Sequence, residues 1–247
     1  MAGDERLDSE RDAILRALRP VVDGIAATFG PVCEVVLHDY RRPERSVVAV
    51  AGTVTGRSVG GAMSEIGLRA LARGDRAADE LNYLTRTAAG QLVKSSTMLL
   101  RDASGSVFGA LCVNVDVTEV DRVRALLTAL GGGPAPEPDP GSAPARAAAE
   151  PPVTTFGDDI DTVLDALLDA HLPGRNRPGQ DWAGLDRPRR LALFRALDER
   201  GVFAVRRSVE QVAARLGISR ASAYSYLSQA RTGPDGRPDD TPQGAHP

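Results

Sequence analysis

The chain has 247 residues, 42% of them hydrophobic and 26% charged, which is ordinary for a globular protein. No apolar run approaches the roughly 18–20 residues that span a bilayer. The acidic start MAGDERLDSERD lacks the basic and then apolar head of a secretory signal, so the expected compartment is the cytoplasm. The formal net charge of −3 is unevenly laid out. Residues 1–130 hold 16 basic and 17 acidic side chains, residues 131–174 one Arg against eight acids, and residues 175–231 twelve Arg against five acids. A segment of net +7 in an acidic chain is the footprint of a polyanion partner. The plainer reading is a charged surface, in a chain that uses Arg almost to the exclusion of Lys.

Taken in order, DAILRALRPVVDGIAATFG sets Ile14, Leu15, Leu18, Val21, Val22, Ile25 and Phe29 on one helical stripe. Pro20 should kink or divide this helix, and Gly30-Pro31 should end it. VCEVVLHDY is a strand by its β-branched content, RRPER a turn, and SVVAVAG a second strand close enough to pair. After the glycine-rich TVTGRSVGG comes a helix around MSEIGLRALARG, then a strand LVKSSTMLLRD, a turn ASGS and a strand VFGALCVNVDVT. DRVRALLTAL closes the region as an amphipathic helix. Two hairpins with helices between them predict an α+β domain over residues 8–130, an antiparallel sheet with helices on one face. Cys33 and Cys112 sit in strand-like runs with no CxxC spacing and read as small buried hydrophobes rather than a disulfide or metal pair.

Residues 131–155, mostly Pro, Gly, Ala and acid, show no apolar periodicity and read as a disordered linker; the tail 232–247 has the same composition. Between them lies a second domain, 156–231. Here RPRRLALFRALDERGVFAVRR predicts a helix with Leu191, Leu193, Phe194 and Leu197 inward, stopped by Gly201. SVEQVAARLGISRASAYSYL then carries the pattern of a helix-turn-helix. Val209, Val212, Ala213 and Leu216 form an apolar face, Gly217 allows a left-handed turn, Ile218 plugs the junction and Ser219 caps the second helix. With Ala223, Tyr226 and Leu227 inward, the residues facing outward are Ser219, Arg220, Ala221, Tyr224, Ser225 and Ser228. In a helix-turn-helix this second helix enters the major groove of double-stranded DNA. Arg220 and the hydroxyls can reach bases or phosphates, and Arg206, Arg207, Arg215 and Arg231 are placed to contact phosphates.

The N-terminal region shows no catalytic constellation and no P-loop, GxGxxG or metal signature, so no enzyme is predicted. It does show polar residues on strands: His38 and Asp39 end one, Lys94, Ser95, Ser96 and Thr97 interrupt another, and Asn114 and Asp116 alternate with valines on a third. If that face points inward, His38, Asp39, Lys94, Ser95, Ser96, Asn114 and Asp116 are candidates to line a pocket for a small polar ligand; if outward, they are a solvated face.

GPVCEVVLHDY, KSSTMLLRD, GALCVNVDVT and LDERGVF…SVEQVAARLGISRASAYSYL together resemble the YheO-like regulators, which join an N-terminal PAS-type domain to a C-terminal helix-turn-helix. The D-arginine-utilisation repressor is one of them. The resemblance covers about residues 10–122 and 187–228. It implies a transcription factor, a repressor in that relative, whose PAS-like domain senses a small amino-acid-like effector or mediates dimerisation. On this reading the protein is a homodimer, with the helices at 11–29 and 120–130 as candidate dimer surfaces or, equally, parts of the core. Two other readings stay open. One is a haem- or flavin-binding sensor with His38 as the available axial ligand. The other is a protein-interaction module carrying a DNA-binding appendage.

Overall fold

Buried apolar side chains of the opening helix meet the first strand, and this contact organises the N-terminal unit. The computed structural model describes residues 2–131, 154, 156, 159–171 and 185–232. Helix α1 runs from Ala2 to Phe29, with Pro20 inside it rather than dividing it. The proline removes the hydrogen bond to the Arg16 carbonyl, but both residues lie on the exposed side of the helix, so that carbonyl is open to solvent. On the other side Leu15, Val22 and Ala26 are buried against Cys33, Val35 and Leu37, with Ile14, Leu18 and Ile25 packed beside them.

The strands are β1 (Cys33–Asp39), β2 (Val47–Ala51), β3 (Glu80–Arg86), β4 (Leu92–Arg101) and β5 (Val107–Asp116). All pair antiparallel, in the order β2-β1-β5-β4-β3. The connection from β2 to β3 therefore crosses from one edge of the sheet to the other, carrying helix α2 (Glu65–Arg73). Strand β3 is one element that the sequence pattern does not predict. Asn82 has φ of 57° at a register shift between Glu80 and Tyr83, which breaks the two-residue alternation, and Leu81 and Leu84 are exposed.

The register divides the sheet into two covered faces. Cys33, Val35 and Leu37 face α1. Glu34, Val36 and His38 face the other way, opposite Asn114, Cys112 and Ala110 of β5, and all six are buried or nearly so. Where composition suggested helices on one face, the second face is also covered, by the β2–β3 connection and α2. The two cysteines fall on opposite faces and are both free.

At the centre, Gly109 pairs with Asp39, and a Cβ there would lie 2.3 Å from the His38 carbonyl oxygen. A second link ties α1 to the β4–β5 turn. Asp102 accepts from the hydroxyl of Ser104 and from Arg11 Nε and Nη2 at 2.9 and 2.6 Å, and these bonds hold its carboxyl down at about 2. Helix α3 (Thr118–Gly131) follows β5, and none of its residues is buried.

The chain divides into two compact units, Met1–Val163 and Leu164–Pro247. The helices of the C-terminal part are α4 (Ile160–His171), α5 (Arg187–Glu199), α6 (Ser208–Arg215) and α7 (Arg220–Thr232). Asp186 caps α5 by accepting from the Arg189 N–H at 3.0 Å, and Gly201, at φ 79°, ends it. Phe194 is fully buried, with its ring 5.5 Å from those of both Phe203 and Tyr226. Around it Leu193, Leu197, Val212, Ala213, Leu216, Ala223 and Leu227 form the core. The Pro/Ala-rich segment and the C-terminal tail lie outside the described residues, apart from Gly131, Thr154 and Thr232. Among the described residues no helix is long and apolar enough to cross a membrane.

Gly109→Ala should destabilise the protein by ~1–3 kcal/mol, the cost of forcing a methyl into a filled space. Urea unfolding of the variant beside wild type measures this, and equal midpoints would mean that β1 and β5 can separate to admit the group.

Candidate functional site

Helices α6 and α7 meet through a short turn. Gly217 adopts φ 62°, and the Ile218 N–H donates to the Ala213 carbonyl at 3.0 Å, closing the end of α6. Ser219 then caps α7: its hydroxyl accepts the Ser222 N–H at 3.1 Å. With Ala223 and Leu227 buried and Tyr226 against Phe194, the helix turns Ser219, Arg220, Ala221, Tyr224, Ser225 and Ser228 to solvent. The outward set is the one that the sequence pattern predicts.

The cations around this face are in two situations. Arg206 and Arg207 are exposed, and Arg207 holds φ 64°, a strained value for a side chain with a Cβ, immediately before α6. Arg215 instead bonds Asp165 of α4, and Arg231 bonds Asp198 at 2.7 Å, so both brace the helices. Arg220 donates to Glu210 at 2.6 Å, and the Tyr224 hydroxyl lies 3.4 Å from the same carboxylate oxygen. A phosphate or a guanine edge that takes up this Nη2 must therefore displace an internal acid.

A second candidate site lies on the sheet face away from α1. His38 of β1 and Asn114 of β5 line a small buried pocket with Arg57 from the connection, Tyr83 of β3 and Thr97 of β4. Its cavity is about 20 Å³, room for a water-sized group. The His38 Nδ1 is 2.9 Å from the Ser46 hydroxyl, and burial, reinforced by the Arg57 charge, pushes its pKa down to about 3. Ser95 donates to the Asn114 carbonyl oxygen at 2.8 Å, and Asn114 donates to Glu34 at 3.2 Å. Glu34 in turn accepts from the N–H and hydroxyl of Thr55. Arg57 reaches across to the Ala62 carbonyl. Burial raises both phenols, Tyr83 to about 12 and Tyr40 well above its usual range, so both stay protonated.

Residues 9–132 match the YheO-like PAS domain family, and residues 163–228 match an HTH domain. The chain belongs to the YheO-like PAS family. It is 29% identical over 223 residues to YheO of Escherichia coli K12, an uncharacterised protein, covering 89% of this chain and 86% of that one. An uncharacterised protein of Haemophilus influenzae is 26% identical over 225 residues, 90% of this chain and 93% of its own. The transcriptional regulator DauR of Pseudomonas aeruginosa is 29% identical over 232 residues, 93% of this chain and 100% of DauR. No solved structure matches the chain. A PAS-type domain joined to an HTH domain is the make-up of a DNA-binding transcriptional regulator.

In this YheO-like domain the seven polar strand residues separate. His38 and Asn114 line the pocket, and Ser95 stands one hydrogen bond behind them. Lys94 and Ser96 alternate onto the opposite face, Lys94 in solvent and Ser96 accepting the Asn82 N–H. Asp39 continues the α1 side of β1 and pairs with Arg41 at 2.8 Å. Asp116 accepts from Gln91 and from the Thr118 N–H at the strand end. Tyr40, Arg57 and Tyr83 arrive without local warning, from a strand end, a glycine-rich loop and the unforeseen β3.

Because His38 stays neutral when folded, with a pKa of about 3 against the ordinary 6.5, protonation favours the unfolded chain. Its contribution is complete above pH 6.5 and declines as pH falls from there toward 3, at up to about 1.4 kcal/mol per pH unit. Urea midpoints measured between pH 7.5 and 5 should fall for wild type and flatten in His38→Gln. An equal slope in both would place the proton elsewhere.

Proposed function

We propose that the protein is a homodimeric DNA-binding transcriptional regulator, working in the cytoplasm, whose PAS-like domain responds to a small effector. The exposed face of α7 carries this reading. Ser219, Arg220, Ala221, Tyr224, Ser225 and Ser228 form its groove-facing set, with Arg206 and Arg207 on the flanking phosphates. The net +7 of residues 175–231 supports a polyanion partner, and the relationship to the transcriptional regulator DauR supports the same role. The domain boundaries read from composition, a sensor followed by a linker and a DNA-reading domain, belong to this proposal.

Dimerisation rests on α3. Val120, Val123, Leu127 and Leu130 recur at intervals of three and four, with Leu126 beside them, and all five are more than half exposed. This is the spacing of a two-helix seam, and a second copy of the chain is the occupant that an HTH protein reading a two-fold operator requires. The effector reading rests on the pocket. Its lining mixes apolar side chains with His38, Tyr83, Thr97 and Asn114, which suits a small polar molecule such as an amino-acid-like effector.

A duplex enriched by the wild-type protein from a random-sequence pool tests the DNA reading. Arg220→Ala should lose about 5- to 150-fold in affinity for it (~1–3 kcal/mol) and relax the preference at one base pair. Arg206→Ala should weaken all duplexes alike and lower the salt slope by about 1. Failure of the wild type to enrich any sequence would overturn the reading.

Sedimentation equilibrium tests the pairing of α3. Leu127→Asp should be monomeric at concentrations where wild type is a dimer, because it sets a charge into an apolar seam. An unchanged dimer would move the interface elsewhere.

A further inference from the structure

The pocket is completed by a residue outside both matched domains. The PAS match stops at 132 and the HTH match starts at 163, yet Phe156 lines the pocket with His38, Arg57 and Asn114. It is held there through Thr154. The Thr154 N–H donates to the Arg86 carbonyl of β3 at 2.9 Å, the Thr85 hydroxyl donates to the Thr154 hydroxyl, and Thr154 is 5% exposed. Strand β3 is an edge of the sheet, with its outer backbone groups open to a further partner, and Thr154 takes one of them.

The walls of the pocket differ in how firmly they are held. Strands β1, β4 and β5 are each paired on both sides. Phe156 is anchored through neighbouring Thr154, whose partners lie on a single edge strand. The cavity of about 20 Å³ admits a water-sized group, so any larger occupant must move a wall, and Phe156 is less firmly tied than the side chains of β1, β4 and β5. From Phe156 the chain reaches the start of α4 at Ile160, a far shorter path than the Pro/Ala-rich segment before it. A short tether transmits displacement where a long flexible one dissipates it.

We propose that Thr154 and Phe156 form a latch that completes the effector site, and that an entering ligand expels Phe156, frees Thr154 from β3 and so alters DNA affinity through α4. This inference rests on the regulator reading above. It assigns the occupancy signal to Thr154, at the very end of the Pro/Ala segment, and to Phe156 beyond it, so the rest of that segment need carry no torque.

The test uses the full-length protein and the duplex enriched by wild type. Phe156→Ala removes the wall and, with it, the packing that keeps Thr154 on the edge strand, whereas Thr154→Pro removes the donated N–H itself. Both variants should shift the Kd for the duplex at least five-fold, in the same direction. The salt slope should not change, because neither substitution touches a phosphate contact. Hydrogen exchange on wild type should show the Thr154 amide slowed, and Phe156→Ala should speed it. Selective binding by wild type with both variants within two-fold of it would overturn the latch and leave the regulator reading standing. Unprotected exchange at Thr154 in wild type would overturn it too, even where a variant failed to fold. A wild type that enriches no sequence would sink the regulator reading, and this inference with it.

Discussion

Strand β1 pairs with β5 along its whole length, from Cys33 opposite Val115 to Asp39 opposite Gly109, and the N-terminal unit depends on that ladder. It joins the first strand to the last, roughly 75 residues apart in the chain, so its loop-closure cost is met only when the intervening elements also pack. Once it forms, each face of β1 has an assigned role. Cys33, Val35 and Leu37 are covered by α1, while Glu34, Val36 and His38 become the floor of the second face. Gly109 permits the close approach at the upper end of the ladder. The Arg11–Asp102 pair then fastens the start of α1 to the turn that leads into β5.

The second face is costly by comparison. It buries a carboxylate, an imidazole, an amide and several hydroxyls, each of which loses water on folding. The chain offsets this with a connected set of hydrogen bonds, Ser95 to Asn114 to Glu34 to Thr55, and with a neutral His38 beside Ser46. An apolar face would be simpler to fold. The proposed effector site would give that expense a purpose, since a polar face can recognise a small polar molecule.

The DNA-reading part shows a related compromise. Arg220 and Tyr224 share Glu210 in the free protein, and Arg215 and Arg231 are taken up by Asp165 and Asp198. Such pairs keep a cationic surface from repelling itself, and exposed pairs of this kind contribute little to stability. A phosphate can therefore replace Glu210 at Arg220 without a large loss. Arg206 and Arg207 are both exposed, and on the proposed reading they give the sequence-independent part of the attraction.

Much of this was legible from local pattern. The helical stripe of α1, the β-branched runs of four strands and the A-x3-G-I-S-R turn all depend on neighbours a few residues away. Period, caps and turn chemistry act over that range, so the helix-turn-helix and its outward face followed from residues 208–228 alone. Other features were decided only when distant segments met. The edge strand β3, bulged at Asn82, takes its identity from β4, and Pro20 is tolerated because its side of α1 meets no other element. Alternation on β4 and β5 says which polar residues share a face, but not which face is buried. The pocket draws His38, Arg57, Tyr83, Asn114 and Phe156 from five separate stretches of the chain. The sequence by itself determined most of the elements and the outward face of the helix-turn-helix, whereas the tertiary structure decided the edge strand and the pocket, because a cavity is a property of pairings that no local pattern contains.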